Sequence, residues 1–389
     1  MTETNRNRST SLAQTLAVQT QIHLPGTVGR LLKQIRELEQ IAPLFVKANL
    51  VRSVKRPKLL NATVAGIATD HAEKPVAGGL LYVSAGSRID ISVDQNVVST
   101  RDQDSVSEID DIDFEDKSKR YQLIGIQQAY DLAERALQSG EHYDAILLDC
   151  PLVLNRSMEA PQLLPRYEKY RRLYDATVSQ IESFWQTHRD SIYPWKVDGP
   201  KVAGLVSQRF GAIINVSQQD LRTEDGRRHV LDSDELDHAV LERLAGAREA
   251  ISGIGERRFI RGILGNFTRT AAFRMSTQTP EMQPRTLVGE GVVGWHYAAA
   301  PGTEPCLIQV IGDEKAWRSE ICDELTGILM TMTVLSGPFS LPLPMQLAQH
   351  ELRSLKPFLE HYREGVRRSM QSKELDAVWL SNLDHFEQQ

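Results

Sequence analysis

One short segment limits the choice of folds more than any other: Tyr143-Asp-Ala-Ile-Leu-Leu-Asp149-Cys-Pro-Leu-Val-Leu154. An apolar run that ends in an acid reads as a buried central strand with a carboxylate at its carboxyl end. Open α/β sheets bind their ligands at that end of the strands. Lys201-Val-Ala-Gly-Leu-Val-Ser-Gln208 is a second buried strand, and Arg166 to Trp185, rich in tyrosine and charge, is the helix between the two. Upstream, Ala62 to Asp70 and Gly78 to Ala85 are β-branched apolar runs expected to pair antiparallel, with Ile89 to Val98 as a third strand. Residues 118–139 carry apolar side chains at helical spacing, and Gly140 is the expected stop.

The remaining chain alternates in the same way. A helix is expected over Asp232 to Ala245, strands over Leu287 to Ala298 and Glu304 to Ile311, and helices over Ile321 to Leu335 and Gln346 to Met370. No repeat and no clean linker divide it. The expected organisation is a flexible arm over residues 1–26, closed by Pro25 and Gly26, then an amphipathic helical segment over 27–60. One large α/β domain over 61–370 and a tail over 371–389 follow. Residues 101–117 hold eight acids, Asp102, Asp104, Glu108, Asp110, Asp111, Asp113, Glu115 and Asp116, and are expected to form a solvated loop. They lack the glycine of an EF-hand.

Composition and missing motifs exclude several functions. No apolar run is long enough to span a bilayer, so no membrane role is expected. The polar first twenty residues do not read as a secretory signal, and three scattered cysteines fit a reducing cytoplasm. There is no GxxxxGK[ST], GxSxG or HExxH. A lone GxGxxG, Gly289 to Gly294, lies in a strand-like stretch and opens no helix. Cys150 has no basic neighbour in sequence to activate it. The net charge is -6, so nucleic acid would have to be held in a local basic groove. The preferred stretch is 246–288, with Arg257, Arg258, Arg261 and Arg269 as the DNA contacts. The short run Arg52, Lys55, Arg56 and Lys58 reads either as solvated or as lying along a phosphate backbone.

What remains is a set of acids on separate elements: Asp70 after the first strand, Asp149 after the buried one, and Asp237 near a later helix. Carboxylates drawn together from different elements suit Mg²⁺ or Mn²⁺, and such ions support phosphodiester hydrolysis. His71, beside Asp70, reads either as a ligand or as an exposed turn residue.

In the order of these elements the chain resembles the NurA nucleases, ribonuclease H-like enzymes that work with the hexameric ATPase HerA on DNA ends. The resemblance covers about residues 60–355. It rests on Ile67-Ala-Thr-Asp70 followed by the strand Gly79 to Ala85, Ile146-Leu-Leu-Asp149, Leu205-Val-Ser-Gln208, Asp234-Glu-Leu-Asp237-His, and Gly337 to Pro344 followed by Ala348-Gln-His350. It implies an α/β, ribonuclease H-like mixed sheet flanked by helices, with a helical N-terminal arm and a C-terminal helix. It also implies Mn²⁺ or Mg²⁺ held by Asp70, Asp149, Asp237 and Glu134, and catalysis by Asp70, Asp149, Asp237 and His350. DNA, a HerA-type ATPase and a second copy of the chain are the implied partners. The chain departs from the family pattern in several places. Both Asp-Gly-Ser motifs lack Gly and Ser, Gln208 stands where the family has lysine, Gln128 falls where it has a metal-binding glutamate, and His350 sits one residue out of register. Three readings follow: an active nuclease, a catalytically degraded NurA-like subunit that docks the ATPase, and an α/β protein without DNA contact.

Overall fold

The computed structural model describes residues 11–58, 60–76, 79–112, 117–152, 154, 158–159, 168–206, 221–227, 230–254, 256–275, 291–300, 303–313, 315–333 and 341–372. Its strands are β1 (Val51–Ser53), β2 (Ala62–Val76), β3 (Gly79–Asp94), β4 (Val97–Ile112), β5 (Ala145–Leu148), β6 (Lys201–Val206), β7 (Thr268–Thr270), β8 (Phe273–Arg274), β9 (Val292–Ala298) and β10 (Cys306–Ile311). Its helices are α1 (Leu12–Lys47), α2 (Lys117–Gln138), α3 (Glu168–His188), α4 (Glu224–Arg227), α5 (His238–Gly246), α6 (Arg248–Gly253), α7 (Glu256–Ile263), α8 (Ser319–Thr331), α9 (Leu343–Glu351) and α10 (Leu355–Ser372). The strands form one mixed sheet in the order β1-β7-β9-β10-β6-β5-β2-β3-β4, with β8 added on β9. β2, β5 and β6 run parallel at its centre, and the other pairings are antiparallel. The α/β expectation holds, with a helix at each end of the described chain.

Alternation along the central strands sorts the sheet into two faces. Val64, Ala68 and Ala72 of β2 and Ala145 and Leu147 of β5 share a core with Leu325 of α8, Met345 and Ala348 of α9 and Leu359 of α10. Ala65 and Ile67 of β2 and Ile146 and Leu148 of β5 share another with Leu123, Ile126 and Tyr130 of α2 and Ile181 of α3. Asp70 and Asp149 therefore fall on the α9 side by position.

Gly66 fixes how closely α9 can approach. A Cβ there would come within 2.5 Å of the backbone of Met345 and Pro344, so the first turn of α9 lies directly on β2. Gln349, one helical turn further on, is thereby carried to the carboxyl end of β5.

Several expectations change. Asp70 lies inside β2, not after it, and Gly79–Asp94 is a single strand, β3, where two strands were expected. The acidic run is an extended edge strand, β4, not a loop: it pairs with β3 along its whole length. Gln95 and Asn96, at φ 47° and 68°, make the two-residue turn between them, which is the left-handed geometry of a tight hairpin. Charged side chains on such an edge discourage pairing with another chain. Asp113, Glu115 and Asp116 lie outside the described residues. The arm is also shorter than expected, because α1 begins at Leu12 and runs through Pro25 and Gly26. Ser11 caps it in a reciprocal box with Gln14, and both Pro25 and Pro43 lie inside the helix. Residues 1–10 and 373–389 lie outside the description.

Candidate metal centre

Asp149 follows β5 directly, and its backbone N–H donates to the carbonyl of Ile67, which holds the start of the loop against β2. Its carboxylate accepts from Gln349 Nε2 at 3.2 Å. Burial pushes Asp149 up to about 7, the Gln349 hydrogen bond lowers it, and the negative charge of Asp70 raises it further. Asp70 itself is exposed, and one of its oxygens accepts from the His71 backbone N–H. The pair thus combines an exposed carboxylate with a sheltered one that holds its proton until near neutrality. The thiol of Cys306, at the start of β10, is pushed up to about 12 by burial, with the charge of Asp149 adding to the effect.

The other expected site residues are distributed differently. Asp237 caps α5, accepting from the N–H groups of Ala239 and Val240 at 3.0 and 3.2 Å. Glu134 lies on α2, across the sheet, where it accepts from Gln138 at 3.1 Å and stands 3.9 Å from His188. Gln128 is on that side as well: it accepts from Ser84 Oγ at 3.0 Å and donates to the Ser84 carbonyl at 3.2 Å. His71 stacks on Tyr121 of α2 with ring centroids 4.2 Å apart, so it belongs to the α2 face. His350 is exposed on α9 beside Gln349. Among the described residues no group of three or more His, Cys, Asp or Glu side chains could hold a metal ion. The four-acid shell is therefore not assembled: strand parity and helix placement separate Glu134 and Asp237 from the Asp70–Asp149 pair.

Within the arginine-rich stretch Arg269 is turned inward, while Arg261 and Arg274 are exposed. Arg269 is 1% exposed and bonds Asp323 at 2.5 Å, with further donations to the carbonyl and hydroxyl of Ser319 and to the Thr270 carbonyl. Such burial takes it out of the expected set of DNA contacts. Arg261 pairs with Glu304 at 3.3 Å, and Arg258 donates to Gln34 of α1. The side chain of Arg257 lies outside the described residues, as do Gln208, Gly289 and Gly337.

Sequence reasoning missed Gln349 and Gly66. The one-residue offset at His350 was the available signal for the first, since the side chain that meets Asp149 is the one just before it. Nothing in the sequence marked Gly66 as the seat of a helix.

No protein-family model and no curated protein matches the chain. Among solved structures, the crystal structure of the NurA nuclease from Sulfolobus solfataricus superposes with a TM-score of 0.57 over 92% of this chain and 97% of that one, at 12% identity. The chain has the NurA fold. A NurA structure bound to dAMP and manganese aligns at a TM-score of 0.42 and 12% identity, covering 86% of this chain and 93% of that one. NurA-like architecture here spans nearly the whole chain while most side chains differ. No described helix is long and apolar enough to cross a membrane.

The donor set around Asp70 and Asp149 can be tested against a cation. Two carboxylates and one amide offer only hard oxygen ligands, which suit Mg²⁺ or Mn²⁺ and not a thiolate-seeking metal. Two carboxylates suffice for one such ion when water and substrate phosphate complete its shell.

Proposed function

We propose that the chain is a NurA-like DNA nuclease that hydrolyses phosphodiester bonds with Mn²⁺ or Mg²⁺ held by Asp70 and Asp149. The observation that carries this reading is the approach of two carboxylates on neighbouring parallel strands, Asp70 inside β2 and Asp149 just after β5, where burial pushes Asp149 up to about 7 and the charge of Asp70 adds to that rise. Two like charges kept together at the expense of stability are the signature of a site that a cation completes. A divalent cation bound there supplies an activated water and neutralises phosphate charge. Asp149 gives up its proton when it becomes a ligand. Gln349 holds the Asp149 carboxylate in a fixed orientation from α9, and Gly66 sets the distance at which it does so. Asp70, open to solvent, faces the side from which a strand would enter. His350 is a proposed proton or phosphate contact from the exposed side of α9, while Asp237 and Glu134 are read as structural. A HerA-type hexameric ATPase and a second copy of the chain are proposed partners, with a cytoplasmic location.

The test is Mn²⁺-dependent cleavage of labelled DNA by the wild type and by Asp70→Ala. Cleavage by the wild type alone is expected, and equal cleavage by both would remove the reading.

A second reading has an observation of its own. Gln128 stands where the resemblance places a metal-binding glutamate, yet it is committed to Ser84 on the opposite face. A degraded subunit that docks DNA or the ATPase without cutting would look like this. Millimolar Mn²⁺ separates the two: a substantial rise in melting temperature supports the nuclease, and no rise supports the docking subunit.

A further inference from the structure

His71 follows Asp70 directly, where the Asp-Gly-Ser motif that this segment resembles has glycine. It is exposed, and one face of its ring stacks on Tyr121 of α2, with centroids 4.2 Å apart and planes 24° from parallel. Tyr121 is itself 3% exposed and packs on Tyr82 of β3, 5.4 Å between centroids. The Tyr82 hydroxyl donates to Glu108 of β4. Three further elements, α2, β3 and β4, thus fix the plane of one solvent-facing ring. Among the described residues no second ring and no ion pair takes up the outer face of that imidazole.

The ring also lies within reach of the acid pair. β2 pairs with β5 only from Val64 to Ile67, and among the described residues no strand pairs with that edge beyond Ile67. Asp70 and His71 stand on this uncovered stretch, one on each face of the sheet. Their Cα atoms are about 3.8 Å apart, as across any trans peptide. A molecule lying over the open edge of β2 can therefore meet the carboxylate on one side and the imidazole on the other.

We propose that the outer face of His71 is a stacking platform for a nucleobase, the one belonging to the nucleotide whose phosphate is held at Asp70 and Asp149. The proposal rests on the nuclease reading and adds a substrate-binding residue to it. Shape and chemistry select the ligand: a flat ring held at a fixed tilt with one face open matches another flat π-system, and every base has one. Phosphate and base are the two ends of a single nucleotide, so one unit of the strand spans the edge from acid pair to ring. Stacking of this kind is sequence-tolerant, so His71 steadies the substrate without reading its sequence. Glycine at this position offers a base no surface to rest on.

The test is fluorescence anisotropy of a labelled oligo-dT strand without metal, on the wild type, His71→Ala and His71→Phe. Melting temperatures and Mn²⁺-dependent cleavage are measured on the same preparations. His71→Ala should weaken binding about tenfold, the loss expected for one stacked base, and raise KM by a similar factor while kcat falls less. His71→Phe keeps a flat ring and should bind within about twofold of the wild type. Strands with one abasic site at successive positions give a second readout that leaves the protein unaltered. The wild type should lose about tenfold at one position, and His71→Ala should lose nothing further there. Equal binding by the wild type and His71→Ala overturns the proposal, and if both cut DNA the nuclease reading survives it. A loss in His71→Phe as large as in His71→Ala, with melting temperatures unchanged, also overturns it, because the ring then does not act by stacking. So does a wild type that is indifferent to every abasic position, or one that does not bind the strand. Ring-dependent binding without cleavage by any of the three proteins keeps the platform and removes the nuclease.

Discussion

The two faces of the central sheet carry similar polar side chains and use them in opposite ways. On the α2 face, Gln128 and Ser84 satisfy each other, and the inner face of the His71 ring stacks against Tyr121. On the α9 face, burial raises Asp149 and the charge of Asp70 adds to that rise, with one donated hydrogen bond from Gln349 as relief. A satisfied pair is structural; a buried carboxylate beside a second carboxylate is what we propose a cation completes. Strand alternation alone decides which side chain falls on which face, since Asp70 and His71 are neighbours in sequence.

The sharpest way to break this comparison is to remove one residue from each face. Asp149→Asn should lower Mn²⁺-dependent cleavage by about 10²–10³-fold, the usual cost of deleting a group that acts on the transition state. Gln128→Ala should leave cleavage nearly unchanged and cost about 1–3 kcal/mol of stability through the partner left unpaired, read from urea unfolding. Next comes Gly66→Ala. It pushes α9 off β2, and because a displacement of about 1 Å can cost 10²-fold, single-turnover cleavage should fall by up to that factor while circular dichroism still reports a folded protein.

A smaller effect distinguishes the faces by pH. The folded-state value of Asp149 lies above its unfolded value of about 4, so its contribution to stability is complete below pH about 4 and is lost as pH rises to about 7. Denaturant melts at pH 5 and pH 8 should show this decline in the wild type and a flatter profile in Asp149→Asn. Mn²⁺ should raise the melting temperature more at pH 8, where the ligand is already deprotonated. The smallest change is expected from Asp237→Ala. Losing the α5 cap should cost about 1 kcal/mol and leave the cleavage rate alone.

Much of the fold was legible because periodicity reports burial: the apolar runs around Asp70, Asp149 and Leu205 are the sheet centre. β4 was not legible, because an edge strand exposed on its outer side needs no apolar alternation, and Gln95-Asn96 is a less familiar hairpin signal than Asn-Gly. The helix over residues 12–26 was hidden by Pro25-Gly26, a pair that reads locally as a helix breaker. For the site, the sequence marked Asp70 and Asp149 but could not say which distant residue would face them. Charge counting misled over residues 246–274 for the same reason. The carboxylates that neutralise Arg261 and Arg269 are Glu304 and Asp323, 43 and 54 residues further along the chain. A cation's partners are a property of the fold, and among the described residues no carboxylate pairs with Arg56 or Lys58.

Calorimetric titration of Mn²⁺ at pH 8 into the wild type, Asp149→Asn and Gln128→Ala tests most directly whether the α9 face is the metal centre. Saturable binding in the wild type and in Gln128→Ala, with none in Asp149→Asn, is the predicted result. Binding that survives in Asp149→Asn, or that disappears in Gln128→Ala, would place the cation elsewhere and contradict the assignment.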